Sequence, residues 1–66
     1  MIDFNKLKAG SVVVVRGEFG NGPAVRATIE NVEQDVKNGQ PGIDYVDSKG
    51  EGYWAYAEQI VRVVEY

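Results

Sequence analysis

The 66-residue chain carries seven Lys and Arg against ten Asp and Glu, a net charge of −3, and it contains no Cys and no His. A chain of this length makes a single domain, residues 1–66, whose thin core rarely supplies more than about 3–5 kcal/mol. The missing Cys and His exclude disulfides, thiolate chemistry, ordinary zinc sites and the usual general base of neutral-pH catalysis.

Strand patterns begin at the β-branched run Ser11–Arg16, which predicts a first strand buried on both faces. Residues 17–23 contain three Gly and one Pro, which predicts an irregular loop. Apolar and polar residues then alternate over Ala24–Glu33, as in a strand with one core face. Val32 falls out of this phase, so we expect a bulge near Glu30-Asn31.

The second half predicts a loop and then a hairpin. The segment Asp35–Pro41 contains Asn38-Gly39, a pair suited to turn positions with positive φ, and is interpreted as a loop. Two short strands, Gly42–Ser48 and Glu51–Ala57, flank Lys49-Gly50, which we interpret as a two-residue turn. This turn would place Tyr45 opposite Trp54 and Ile43 opposite Tyr56, on one face of the hairpin. A single helical turn at Glu58-Gln59-Ile60 and a last strand, Val61–Glu65, complete the chain.

Two sequence stretches carry a family resemblance. The run from Leu7 to Val15 is similar to the L-x-x-G-x-x-V pattern at the start of many SH3-like barrels, and Trp54–Ile60 is similar to their strand-to-turn exit. The order of elements resembles the SH3-like small barrel, in particular its Tudor and KOW-type relatives. This resemblance implies an all-β fold: a five-stranded antiparallel small barrel with one short 3-10 turn before the last strand. The motifs of proline-rich-peptide-binding SH3 domains are missing, so PPII recognition is not expected.

Nothing in the chain points to catalysis, and we expect no enzyme, no metal and no cofactor. Gly17, Gly20 and Gly22 have neither the spacing of a dinucleotide fingerprint nor the Lys of a Walker loop. The scattered acids are interpreted as solvated strand edges and turn caps. The first ten residues are too polar for a secretory signal and Val12–Val15 is too short to span a bilayer, so we expect a cytoplasmic protein.

The aromatic residues carry the leading functional hypothesis. Aromatic patches in Tudor-like barrels bind cationic or extended peptide ligands, and nearby acids favour a basic partner. Rings and nearby acids without any reactive group therefore lead us to expect a non-enzymatic module that docks a protein partner through an aromatic and acidic patch beside the 17–23 loop. The alternative that Tyr45 and Trp54 simply fill the core stays open. The candidate binding residues are Phe19, Glu18, Tyr45, Trp54, Tyr56 and Asp44.

Three alternatives remain. A KOW-type barrel would contact nucleic acid through Lys6, Lys8, Arg16 and Arg26, but these cations are scattered singly along an acidic chain. A small accessory or inhibitor protein of a phage or mobile element would also be compact and without reactive groups. A thin core that lacks disulfides or metal leaves a homo-oligomer open as well.

Overall fold

The computed structural model describes residues 2–66, apart from the side chain of Phe19. Over these residues the chain is all-β, which confirms the predicted class. None of its three 3-10 turns, at Phe4–Lys6, Glu18–Gly20 and Ala57–Gln59, has the length or apolarity to cross a membrane. The five strands of the described residues are β1 Val12–Arg16, β2 Ala24–Lys37, β3 Gln40–Val46, β4 Gly52–Tyr56 and β5 Ile60–Glu65.

The strands form one antiparallel sheet in the order β4-β3-β2-β1-β5. This layout is broadly consistent with the predicted SH3-like class, including the 3-10 turn directly before the last strand. Over residues 2–66, β4 and β5 are the two edges of the sheet and do not pair with each other. The sheet is therefore not closed into a barrel by strand pairing, unlike the closed barrel that the resemblance implies.

The long strand β2 joins the two halves of the sheet. Its first part pairs with β1, from Ala24 to Thr28, and its later part pairs with β3. The register shifts where Ile29 lies opposite Tyr45 and Asn31 lies opposite Asp44, which leaves one extra residue on β2. This shift confirms the predicted bulge near Glu30-Asn31. A bulge bends a strand and increases its twist, which lets both halves of β2 cover one core.

The core lies on the inner face of this curved sheet. Val13 and Val15 of β1 are fully buried, whereas Val12 and Val14 on its other face are half-buried. The prediction that β1 is buried on both faces was therefore wrong, because nothing packs fully over its outer side. The buried apolar residues of the described chain are Leu7, Val13, Val15, Ala27, Ile29, Ile43, Tyr45, Ala55 and Ile60.

The β3–β4 hairpin has a different register from the predicted one. Val46 lies opposite Gly52 and Tyr45 lies opposite Tyr53, so the connection has one residue more than Lys49-Gly50. The Asp47 carboxylate accepts the backbone N–H groups of Lys49 and Glu51 at 2.8 and 3.0 Å, and Gly50 has φ +82. These features are typical of a three-residue loop with a left-handed last residue.

Two of the predicted loops contain more regular structure than expected. The segment 17–23 includes the Glu18–Gly20 turn. Strand β2 continues to Lys37 and β3 begins at Gln40, so most of Asp35–Pro41 belongs to the sheet. Only Asn38 and Gly39 lie outside the strands there, with φ 55 and 74, as their positive-φ preference predicted.

Gln59 ties the last turn of the chain to β1. Its Oε1 accepts the N–H of Tyr56 at 2.9 Å, and its Nε2 donates to the carbonyl oxygen of Arg16 at 2.8 Å. The side chain is buried, so both hydrogen bonds replace contacts with water. Gln59 therefore holds the passage from β4 to β5 against the end of β1.

Candidate functional site

A cleft of about 460 Å³ lies between the 17–23 loop and the β3–β4 hairpin. The loop and the start of β2 form one wall, and the hairpin forms the other. The loop wall consists of Gly17, Glu18, Gly22, Pro23 and Val25. The hairpin wall consists of Tyr45, Asp47, Gly52, Tyr53 and Trp54.

Two tyrosines form the aromatic part of the hairpin wall. Tyr45 and Tyr53 are directly opposite each other on β3 and β4, and their ring centroids are 5.7 Å apart with 31° between the planes. Tyr45 is only 4% exposed and belongs to the core, whereas Tyr53 is 48% exposed. A buried ring thus supports an exposed ring, and Tyr53 presents the larger apolar surface to the cleft.

Carboxylates surround the phenol groups of these tyrosines. The Tyr53 hydroxyl donates to Glu51 Oε2 at 2.9 Å, and this hydrogen bond raises the pKa of Tyr53 above 10. Burial raises the pKa of Tyr45, and the negative charge of Asp47 raises it further. Both phenols therefore remain protonated and neutral around pH 7. Glu18 adds a carboxylate from the opposite wall of the cleft.

The loop wall is folded back on itself by its own backbone. The N–H groups of Gly20 and Gly22 both donate to the carbonyl oxygen of Gly17 at 3.0 Å. Arg16 Nη1 donates to the carbonyl oxygen of Gly22 at 3.1 Å, and Arg16 pairs with Ala24 where β1 meets β2. These contacts fix both ends of the loop, so the wall is built before any ligand arrives.

The structure divides five of the six predicted binding residues between two surfaces. Glu18, Tyr45 and Trp54 line the cleft. Asp44 and Tyr56 alternate with the core residues of their strands and lie on the outer face of the hairpin. The prediction for Phe19 concerns a side chain that lies outside the described residues.

Trp54 borders the cleft from the edge strand, but its ring belongs to the outer face. The ring packs edge-on against Tyr56, with centroids 5.1 Å apart and 89° between the planes. The ammonium group of Lys37 lies 5.4 Å from the Trp54 ring centroid. Trp54 is 37% exposed, so it does not fill the core as the alternative interpretation proposed.

No protein-family model, curated protein or solved structure matches this chain. The functional assignment therefore rests on the geometry of the cleft. Within residues 2–66, no group of three or more carboxylates is arranged to hold a metal ion. The cleft can accommodate an apolar group beside Pro23 and Val25. It can also accommodate a cation near its carboxylates and aromatic rings.

The candidate binding residues chosen from the sequence included neither Tyr53 nor Asp47. The predicted two-residue turn put Tyr53 on the opposite face from Tyr45, and a register error of one residue moves every side chain to the other face. The signal available was Asp47 itself, since an Asp three residues before a Gly is typical of a turn that its carboxylate caps. Pro23 and Val25 carried no comparable signal.

Proposed function

We propose that this protein is a non-enzymatic binding module that docks a protein partner through the cleft between the 17–23 loop and the β3–β4 hairpin. The observation that carries the proposal is the exposed Tyr53 ring, which lies in a cleft whose two walls each contribute a carboxylate, Glu18 and Asp47. Exposed aromatic anchors in a concave site are typical of binding surfaces.

The ligand that suits this cleft is an extended segment with a basic side chain. A cation over the Tyr53 ring would gain from the ring face, and Glu18 and Asp47 would attract it from both walls. Pro23 and Val25 offer an apolar surface for the neighbouring residue of the segment. An acidic segment would meet carboxylates on both sides and is expected to bind poorly.

The fixed shape of the two walls also favours binding. The loop is held by the hydrogen bonds to Gly17, and the hairpin is held by the Asp47 turn. Few side chains and loops of this protein therefore become ordered on binding, so the entropic cost of binding is smaller.

NMR titration of the 15N-labelled protein tests the proposal. The probes are blocked pentapeptides of identical sequence apart from a central Arg or a central Glu. We expect the Arg peptide to shift the amides of Gly17, Gly22 and Gly52, and the Glu peptide to leave them in place. Tyr53→Ala should weaken the binding of the Arg peptide about two- to fivefold, because an exposed cation–π contact contributes about 0.5–1 kcal/mol.

Tyr66→Ala is the matched control, because Tyr66 is a similarly exposed tyrosine, at 40%, that does not line the cleft. It should leave the affinity for the Arg peptide unchanged. Equal weakening by both variants, or peptide-induced shifts confined to other parts of the sheet, would contradict the proposal.

A further inference from the structure

Strand pairing gathers three arginines that are far apart in the sequence. Val14 of β1 lies directly opposite Arg26 of β2 on one side and opposite Arg62 of β5 on the other. Directly opposite residues of neighbouring strands point to the same face of a sheet. Arg16 follows Val14 by two residues on β1 and shares that face. All three arginines are exposed, and we call them the arginine face.

The spacing within the arginine face follows from sheet geometry. Arg26 and Arg62 lie one strand to either side of β1, so their backbones are about 10 Å apart. Arg16 is about 7 Å from Val14 along the strand. Arg16 also donates through Nη1 to the carbonyl oxygen of Gly22, which restrains its side chain. The backbones of the three arginines therefore lie within about 10 Å of one another on one face of the sheet.

The negative charge of the protein lies elsewhere in the sheet. Residues 31–56 contain five acids and two bases, so they hold the entire net charge of −3. The remaining residues carry five acids and five bases and are neutral as a group. Glu65, opposite Val12 on β5, and the exposed Glu30, four residues after Arg26 on β2, share the outer surface with the arginine face. With three arginines against these two acids, this surface is locally positive although the whole chain is negative.

From this arrangement we infer that the arginine face is a second binding surface, whose partner is the phosphate backbone of a nucleic acid. None of its arginines lines the proposed peptide cleft, although Arg16 contacts the back of the loop wall at Gly22, and it involves Arg62, which lies 36 residues beyond Arg26. Guanidinium groups match phosphate oxygens with two parallel hydrogen bonds, and a repeating polyanion presents a charge to each of them.

The apolar content of this surface favours a phosphate backbone over an acidic protein. Protein interfaces have an exposed apolar centre with polar groups at the rim. Val14, which lies between Arg26 and Arg62, is half-buried in the sheet, and the exposed valines of β5, Val61 and Val64, lie at the edge strand and not at the centre of this surface. Contacts at the arginine face are therefore mainly electrostatic, which is typical of sequence-independent binding to phosphates.

Fluorescence anisotropy with a labelled 20-nucleotide oligo(dT) and a labelled 20-base-pair duplex tests this inference between 25 and 200 mM salt. Three phosphate contacts predict that log K falls with log salt with a slope of about −2 for the single strand and about −2.7 for the duplex. A slope of this size indicates three phosphate contacts, whereas weak attraction to a single lysine would give a slope of less than about −1 in magnitude. Absence of binding to both probes at 25 mM salt would overturn the inference.

The double variant Arg26→Glu/Arg62→Glu should weaken binding by at least about tenfold and reduce the slope to about a third, because one contact of three remains. Lys6→Glu/Lys8→Glu is the matched control: it changes the net charge by the same amount at exposed residues before β1. It should leave the slope unchanged. Equal loss in both double variants would assign the binding to net charge and overturn the inference.

Two further measurements keep the test decisive. Arg26→Lys/Arg62→Lys retains the charge and should keep the slope while weakening binding, even if the Glu variant fails to fold. Poly-glutamate is added as a competitor at the same concentration of charges as the oligonucleotide. Displacement of the oligonucleotide by poly-glutamate at equal charge would indicate an acidic protein partner and reject the nucleic acid.

Discussion

At the scale of single residues, packing around position 42 requires a glycine, because there is no room for a Cβ atom. A Cβ atom at this position would overlap the carbonyl oxygen of Ala55 on β4 and the side chain of Val36 on β2. Gly42 is buried and lies opposite Tyr56 in the β3–β4 ladder. The backbone of β3 therefore approaches its neighbours more closely than any side chain at position 42 would allow.

Gly42→Ala is expected to lower the free energy of unfolding by about 2–3 kcal/mol, because the added methyl group forces β3 away from β4 and Val36. Urea denaturation followed by circular dichroism measures the change. Gly52→Ala is the control, since a Cβ at Gly52 meets nothing within 4 Å. It should change stability by less than about 0.5 kcal/mol. Similar losses in the two variants would refute the close approach at Gly42.

The sequence did not distinguish these two glycines. Both stand next to predicted turns, where Gly normally supplies conformational freedom. The constraint on Gly42 comes from Val36 and Ala55, which reach it only after β2, β3 and β4 have paired. Such tertiary contacts have no local signature in the chain.

At the scale of elements, the sequence predicted where strands end better than how they pair. Gly, Pro and Asn-Gly located the turns, and the out-of-phase Val32 located the bulge in β2. The register of the β3–β4 hairpin was wrong, because the pattern of alternation is compatible with a loop of two or of three residues. The choice depends on the hydrogen bonds of Asp47, which fix Gly50 as the last loop residue.

Asp47→Ala is expected to destabilise the protein by about 1–2 kcal/mol, because it removes the acceptor for the N–H groups of Lys49 and Glu51. Asp47→Asn keeps a side-chain oxygen that accepts both and should cost less than about 0.5 kcal/mol. Thermal and urea unfolding of both variants give the comparison. If Asn is as costly as Ala, the negative charge of Asp47 stabilises the hairpin and its acceptor geometry does not.

The hairpin register also determines the candidate site. With the observed loop, Tyr53 joins Tyr45 on the core side, while Trp54 and Tyr56 join Asp44 on the outer side. The sequence therefore predicted that aromatic and acidic residues would meet near the 17–23 loop, but it could not determine which ones. A one-residue difference in a loop exchanges the two sets.

At the scale of the whole molecule, charge is separated between the two halves of the sheet. The arginine face lies on β1, β2 and β5, and the net negative charge lies in residues 31–56, which include the end of β2, β3 and β4. Glu33 is at the centre of the acidic half, where its side chain hydrogen-bonds to Asp44 and is repelled by the carboxylates of Asp44 and Asp35. These contacts raise the pKa of Glu33 above its ordinary value of 4.5.

Because the pKa of Glu33 is raised in the folded state, protonation of Glu33 increases the free energy of unfolding. The folded state holds the Glu33 proton more tightly than the unfolded state does, so ionisation of Glu33 costs folding free energy above its folded pKa. This cost disappears as the pH falls below 4.5, where the carboxyl is protonated in both states. Glu33→Gln, which cannot ionise, should therefore raise the urea midpoint at pH 7 and have no effect at about pH 3.

Glu30→Gln separates this local repulsion from the general effect of one less negative charge, because Glu30 is an exposed acid on the same strand. It should raise the midpoint at pH 7 by less than Glu33→Gln does. The repulsion acts between β2 and β3, the two strands that form the acidic half, so its relief should tighten the pairing that also supports the hairpin wall of the cleft. If Glu33→Gln lowers the midpoint at pH 7, the hydrogen bond to Asp44 outweighs the repulsion and the acidic half is held together by its carboxylates.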